Sequence, residues 1–300
     1  MNLKDKKILL TGGLGFIGSN LADHLENAGA KITIFDLAQG DDIQDYQKLR
    51  NIVKKKFDVI YHLAGYSGPT KSNDNKQKSF TVNTSATADL CELLVKYSPR
   101  TKLILSSSRL EYGKPRYFPV DENHPLNPTS VYGLSKLSST QISQVFNQKF
   151  GLDVTVFRTS NTYGPHKKQF EGYNIINNFI DQALEGKTLT IYGDGEQERD
   201  YIFITDLVTA FTLAAEKPDV SKGQIYNLGL GIGIKFKEMV NLIIDKAPKG
   251  KIQYVPWPKS YMDVETGSYI SDISKLGVQL GFTPKISFEE GIVKTIQAVK

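Results

Sequence analysis

The first half of the chain alternates short apolar runs with amphipathic stretches. Ile8, Leu9 and Leu10 form the first run, and Leu14, Ile17, Leu21 and Leu25 follow at helical spacing. Gly29 stands where a helix would stop, and Lys31-Ile-Thr-Ile-Phe35 predicts a second strand. Further strands are predicted at 59–65, 102–106 and 154–158, with helices over 84–97 and about 130–150 between them. Strands alternating with helices imply an α/β fold with a doubly wound, mainly parallel sheet. Ligands bind such sheets beyond the carboxyl ends of the strands, so Gly12, Asp36, Ala64, Ser106 to Ser108 and Asn161 should converge.

From about Tyr163 the pattern loosens, with Gly164-Pro165, Tyr192-Gly-Asp-Gly195, Pro256-Trp-Pro258 and Gly281-Phe-Thr-Pro284 punctuating short elements. Residues 201–216 and 224–228 are regular enough to return to the sheet. The expected division is therefore 1–164 plus about 200–230 for the sheet domain. A smaller C-terminal α/β domain takes about 165–199 and 231–300. Between Asp36 and Val59 the chain is too short for a full strand–helix unit and leads instead into a lysine-rich helix.

The chemistry begins at the first strand-to-helix junction. Glycines at 12, 15 and 18 follow the strand directly. The first permits a tight turn, the second lets backbone approach a pyrophosphate, and the third lets the helix pack close to the sheet. The spacing alone is weak; the βαβ context gives it meaning. Asp36, at the end of the second strand, suits the ribose hydroxyls of adenosine and would repel a 2′-phosphate, which favours NAD over NADP. It also fits an ordinary turn residue.

Tyr132 and Lys136 stand four apart near the start of the long helix, on one face. A tyrosine beside a lysine can act as a base. A free phenol titrates near about 10, so work near neutrality requires roughly 4 kcal/mol favouring phenolate. Lys136 and a positive nicotinamide are the plausible sources. A second pair at this spacing, Tyr163 and Lys167, runs through Gly164 and Pro165, which break a helix. Ser106-Ser-Ser108 follows an apolar strand and places hydroxyls at the mouth of the same site.

Composition narrows the class without naming it. The 300 residues carry a formal charge of +5, spread out apart from Lys54-Lys-Lys56, which reads as a solvated helix face rather than a nucleic-acid surface. The single cysteine, Cys91, allows no internal disulfide, and no Cys/His cluster suggests a metal. No apolar run approaches a signal or membrane span, so the expected location is cytoplasmic, with no membrane partner.

Taken together, several motifs resemble the NAD-dependent epimerase/dehydratase family of extended short-chain dehydrogenases/reductases over nearly the whole chain. They are Thr11-Gly-Gly-Leu-Gly-Phe-Ile-Gly18, Asp42-Ile43, His62-Leu-Ala-Gly65, Asn83, Ser106-Ser-Ser108 with Tyr112-Gly113, Tyr132 with Lys136, Arg158-Thr-Ser-Asn-Thr-Tyr-Gly-Pro165, and Ile191-Tyr-Gly-Asp-Gly-Glu-Gln-Glu-Arg-Asp200 with Asp206. The resemblance implies a Rossmann-type NAD domain and a nucleoside-diphosphate-sugar substrate. It implies that Gly12, Gly15, Phe16, Ile17, Gly18, Asp36, Asp42, Ile43, Leu63, Ala64, Asn83, Ser106, Tyr132 and Lys136 hold NAD. Ser108, Tyr132 and Lys136 would be catalytic; Ser108, Asn161, Asn174, Ile191, Arg199 and Lys259 would bind substrate.

Lys259 enters that set because the second phosphate-binding arginine of the family is missing near Pro258-Lys-Ser-Tyr-Met-Asp263. The family's dehydratases place Thr-Asp-Glu where this chain has Ser108-Arg109-Leu110, so the resemblance favours C4 epimerisation of a UDP-hexose. Dehydration, decarboxylation, reduction or C2 epimerisation stay open, as does a non-catalytic NAD-binding regulator. Glu111 is the residue that would rescue dehydration. Relatives pair helices near 84–97 and 130–150 across a two-fold axis, which implies a homodimer.

Overall fold

The computed structural model describes residues 2–165, 174–247 and 249–299. Lys167 of the second tyrosine–lysine pair lies outside them. Strands β1 (Lys7–Thr11), β2 (Lys31–Phe35), β3 (Val59–His62), β4 (Lys102–Ser108) and β5 (Val154–Thr159) join Ile225–Leu228 in one sheet. The order is Ile225–Leu228, β5, β4, β3, β1, β2, and every pairing is parallel.

Alternation along the strands explains the layers. Ile8 and Leu10 of β1 face one core with Tyr61, Ile104 and Phe157, closed by helices Phe16–Asn27 and Ile204–Glu216. Leu9 faces the opposite core with Ile60, Leu103, Leu105 and Val156, closed by Leu49, Ile52, Leu90 and Leu94. Both faces are covered, and all seven residues of β4 are buried, as expected for a parallel sheet.

The compressed segment has a topological result. β2 is an edge strand, and the chain crosses from it to β3 on the far side of β1 with only a 3-10 turn, Leu37–Gln39, and helix Tyr46–Val53 between. Lys54–Lys56 do not form a helix face. They follow that helix in a turn in which Lys56 has φ +58°.

β3 ends at His62, so Leu63 to Gly65 leave the ladder toward the cleft; β4 runs on through Ser108, paired with Thr159. The helix expected over 84–97 is Ala86–Tyr97, preceded by a π-helical turn over Phe80–Ser85. A short helix at Pro69–Asp74, with proline in its first turn, was not signalled by any apolar period.

Beyond β5, Asn161–Tyr163 pairs in parallel with Tyr201–Phe203, so Asn161 lies opposite Tyr201. Thr188–Tyr192 pairs with Lys251–Val255, and Glu198–Arg199 with Ile234–Lys235. These small ladders bring Arg199 to the mouth of the main sheet.

Candidate active site

The carboxyl ends of β1 to β5 open into a cleft of about 1060 Å³. Its walls include Gly12, Gly15, Phe16, Ile17, Gly18, Asp36, Asp42, Ile43, Leu63 and Ala64 at one end. Ser106, Ser108, Tyr132, Lys136, Asn161 and Asn174 line the other.

The glycine loop is built for close approach. Gly12 has φ +70°, and a Cβ there would stand 2.6 Å from the Ala64 nitrogen. A Cβ at Gly18 would collide with the Gly12 carbonyl, which lets helix Phe16–Asn27 start against the loop. Gly15 caps that helix without any side-chain hydrogen bond, leaving its first N–H groups toward the cleft. Asp36 is half-buried; its carboxylate accepts from Leu14 N and Ala38 N, both at 2.9 Å, and so ties the loop to the end of β2. The turn role and a place on the cleft wall therefore coexist in one residue. This cradle fits the adenosine and pyrophosphate parts of NAD.

Behind the loop, His62 Nδ1 meets Thr11 Oγ1 at 2.7 Å and Nε2 meets Thr87 Oγ1 at 3.1 Å. Burial, aided by the charge on Lys136, lowers its pKa to about 3, so the imidazole is neutral and serves as a clamp. Asn83 does not line the cleft. Its amide accepts from Tyr66 N at 2.8 Å and donates to Tyr66 O and Ser135 Oγ, holding the 64–67 segment against the long helix.

At the other end, helix Val131–Phe150 is capped by Ser130 Oγ, which accepts from Gly133 N at 3.1 Å. Its first two turns present Tyr132 and Lys136 together. The Lys136 ammonium donates to the Ser106 carbonyl at 2.6 Å. Burial lowers its pKa to about 8, against the opposing pull of Glu111. The Tyr132 phenol stands beside the Ser108 and Ser67 hydroxyls. Burial pushes that phenol above its ordinary value, with Ser67 and Ser108 opposing the rise. Phenolate at this position therefore requires further positive charge. Ser67 had no signal in the sequence.

Glu111 lies elsewhere. It is fully buried, pairs with Arg158 Nε at 2.8 Å, accepts from Thr140 Oγ1 at 2.7 Å and is bonded to Ser107 Oγ. Arg158 in turn donates to the Tyr112 hydroxyl at 2.9 Å. This network holds Glu111 between β4 and β5, and positions 109 and 110 carry Arg and Leu rather than carboxylates.

A second, smaller space of about 390 Å³ shares Arg109, Leu110, Asn161 and Asn174 with the main cleft and adds Arg199 and Glu265. Arg199 donates to Gly267 O at 2.7 Å and pairs with Glu265 at 2.5 Å. Its acidic neighbours in sequence are not its ion-pair partners: Asp200 is buried and accepts from Leu230, Gly231 and Ser271.

Two expected substrate residues are placed away from the cleft. Ile191 is 0 % exposed, because alternation along Thr188–Tyr192 turns it into the core with Leu189. Lys259 is exposed on a short helix and lines neither space. Arg109, passed over in the sequence, lines both; its one signal was adjacency to Ser108. Among the described residues no group of three or more metal-ligating side chains forms, and no helix is long and apolar enough to cross a membrane.

Residues 8–229 match the NAD dependent epimerase/dehydratase family. The UDP-N-acetyl-alpha-D-glucosaminuronate decarboxylase of Bacillus cytotoxicus is 30% identical, over 97% of each chain. The crystal structure of UDP-glucose 4-epimerase from Thermotoga maritima with UDP-glucose superposes with a TM-score of 0.90 at 29% identity, covering 98% of each chain. The UDP-glucose 4-epimerase of Thermus thermophilus in complex with NAD gives 0.87 at 26%, covering 97% of this chain and 98% of that one.

Proposed function

Since the chain belongs to the NAD-dependent epimerase/dehydratase family, and so is an NAD-dependent enzyme acting on nucleoside-diphosphate sugars, we propose that it is a C4 epimerase, with a UDP-hexose as substrate. The observation that carries this reading is the pairing of a Ser108–Tyr132–Lys136 set in the cleft with the sequestration of Glu111. Elimination of the C6 hydroxyl needs an acid and a base beside the sugar. Here Arg109 and Leu110 occupy those positions, and the next carboxylate is locked in the core with Arg158.

In this reading Ser108 holds the sugar 4-hydroxyl and Tyr132 takes its proton. NAD, when bound, accepts the hydride from C4 and returns it, so no external reductant is needed. Lys136, fixed on the Ser106 carbonyl, supplies positive charge that lowers the cost of the phenolate and orients the nicotinamide ribose. Turning the 4-keto sugar before hydride return requires a grip on the nucleotide rather than on the sugar ring. In this reading Asn161 and Asn174, which line the cleft, and Arg199, which lines the adjoining space, give it. Positioning and proton relay supply the rate.

We also propose a division of labour in which 1–164 plus about 200–230 hold NAD and the rest holds the nucleotide sugar. Two chains are proposed to associate through the Val131–Phe150 helix. Leu134 and Val145, seven and four residues apart from Gln141 between them, are exposed there along one helical stripe.

The test is mass spectrometry and proton NMR of UDP-, dTDP-, GDP- and CDP-sugars incubated with enzyme and NAD in D₂O. A C4 epimer of unchanged mass without solvent deuterium supports the proposal. Water loss with deuterium at C5, or loss of carbon dioxide from a hexuronate, replaces it with dehydration or decarboxylation.

A further inference from the structure

Arg109 follows Ser108 at the end of β4 and reaches across the cleft toward the C-terminal ladders. It is 8% exposed, its Nη1 donates to Thr266 Oγ1 at 3.2 Å, and its guanidinium lies 5.1 Å from the centre of the Tyr269 ring. The neighbouring cation, Arg199, has already engaged Glu265. Among the described residues, no carboxylate forms an ion pair with Arg109.

Burial, with repulsion from Arg199, lowers the pKa of Arg109 to about 10 against the opposing pull of Tyr269 and Glu265, so it stays charged at neutral pH. Glu265 acts on Arg109 only from a distance, and a buried cation with no ion pair of its own is unfavourable unless a ligand supplies the partner. Its planar fork suits an oxyanion. Arg109 is also placed where Lys259 is not: it lines the space that holds Arg199.

We propose that Arg109 is a specificity-determining residue whose guanidinium receives an oxyanion of the nucleotide sugar in the space it shares with Arg199. The inference rests on the nucleotide-sugar reading. The oxyanion has two sources, the diphosphate or a carboxylate on the sugar.

Calorimetric binding of UDP, UDP-glucose and UDP-glucuronate to the NAD-loaded wild type, R109Q and R109K separates them. A loss of about tenfold or more in R109Q for all three ligands identifies the diphosphate. A comparable loss confined to UDP-glucuronate identifies the carboxylate. R109K, which keeps the charge without the fork, should recover part of the lost affinity and serves as the main variant if R109Q does not fold. Wild-type affinities for all three ligands in a folded R109Q, or in R109K where R109Q does not fold, overturn this inference alone. A wild-type enzyme that binds none of them, nor dTDP-, GDP- or CDP-sugars, overturns it together with the nucleotide-sugar reading.

Discussion

The ammonium of Lys136 is held 2.6 Å from the backbone carbonyl of Ser106, which ties the helix bearing Tyr132 to the strand end bearing Ser108. Burial lowers the Lys136 pKa from an ordinary lysine value to about 8. The side chain is therefore a cation below about pH 8 and neutral above it, so the charge proposed to support a Tyr132 phenolate is lost as pH rises. The expected kcat/KM profile falls on its alkaline side through about pH 8. Lys136→Arg, which stays protonated, should move that limb upward at a reduced rate, and an unmoved limb in the variant would exclude Lys136 as its source.

Tyr132→Phe removes the hydroxyl beside Ser108 and Ser67 but keeps the ring. Turnover should drop by about 10²- to 10⁴-fold, the usual scale for a lost general base. NAD retention, read by chromatography of released cofactor, should change little. Near-wild-type turnover would sink the proposed mechanism.

Glu111→Gln tests whether this carboxylate is structural. Removing its charge leaves Arg158 buried without its partner, which should destabilise the fold by about 3 kcal/mol or more in urea unfolding. Glu111→Leu combined with Arg158→Met should recover part of that loss, since neither charge is then orphaned. Unchanged stability with lost activity would move Glu111 into the chemistry.

Gly12→Ala forces a side chain into a left-handed turn and onto the Ala64 backbone. NAD affinity should fall steeply. Gly151→Ala has a similar φ of +72° but nothing within 4 Å of the added carbon, so it should lose only about 1 kcal/mol of stability and leave NAD binding intact. Equal NAD affinities in the two variants would show that the contact with Ala64 does not matter.

Light scattering at micromolar concentration should give twice the 33.5 kDa chain mass. Leu134→Glu with Val145→Glu, both at exposed positions, should give a monomer that still melts cooperatively. A wild-type monomer would remove the proposed interface.

The order of elements, the glycine loop and the tyrosine–lysine pair were legible in the sequence because each depends on local periodicity or on residues a few positions apart. The run 8–10 already encodes which residues face which core, and Tyr132 and Lys136 share a face by helical geometry alone. What the chain could not show locally depends on strands that meet from distant parts of it. The fate of Glu111 was decided by Arg158, 47 residues away on the neighbouring strand. Ile191 was turned inward by the packing of a short ladder. Arg109 came to lie beside Arg199 only because Asn161–Tyr163 pairs with Tyr201–Phe203 and draws the C-terminal segment over the end of β4. A periodicity fixes which way a residue points along its own element; which charge or apolar surface stands opposite it is set by long-range packing.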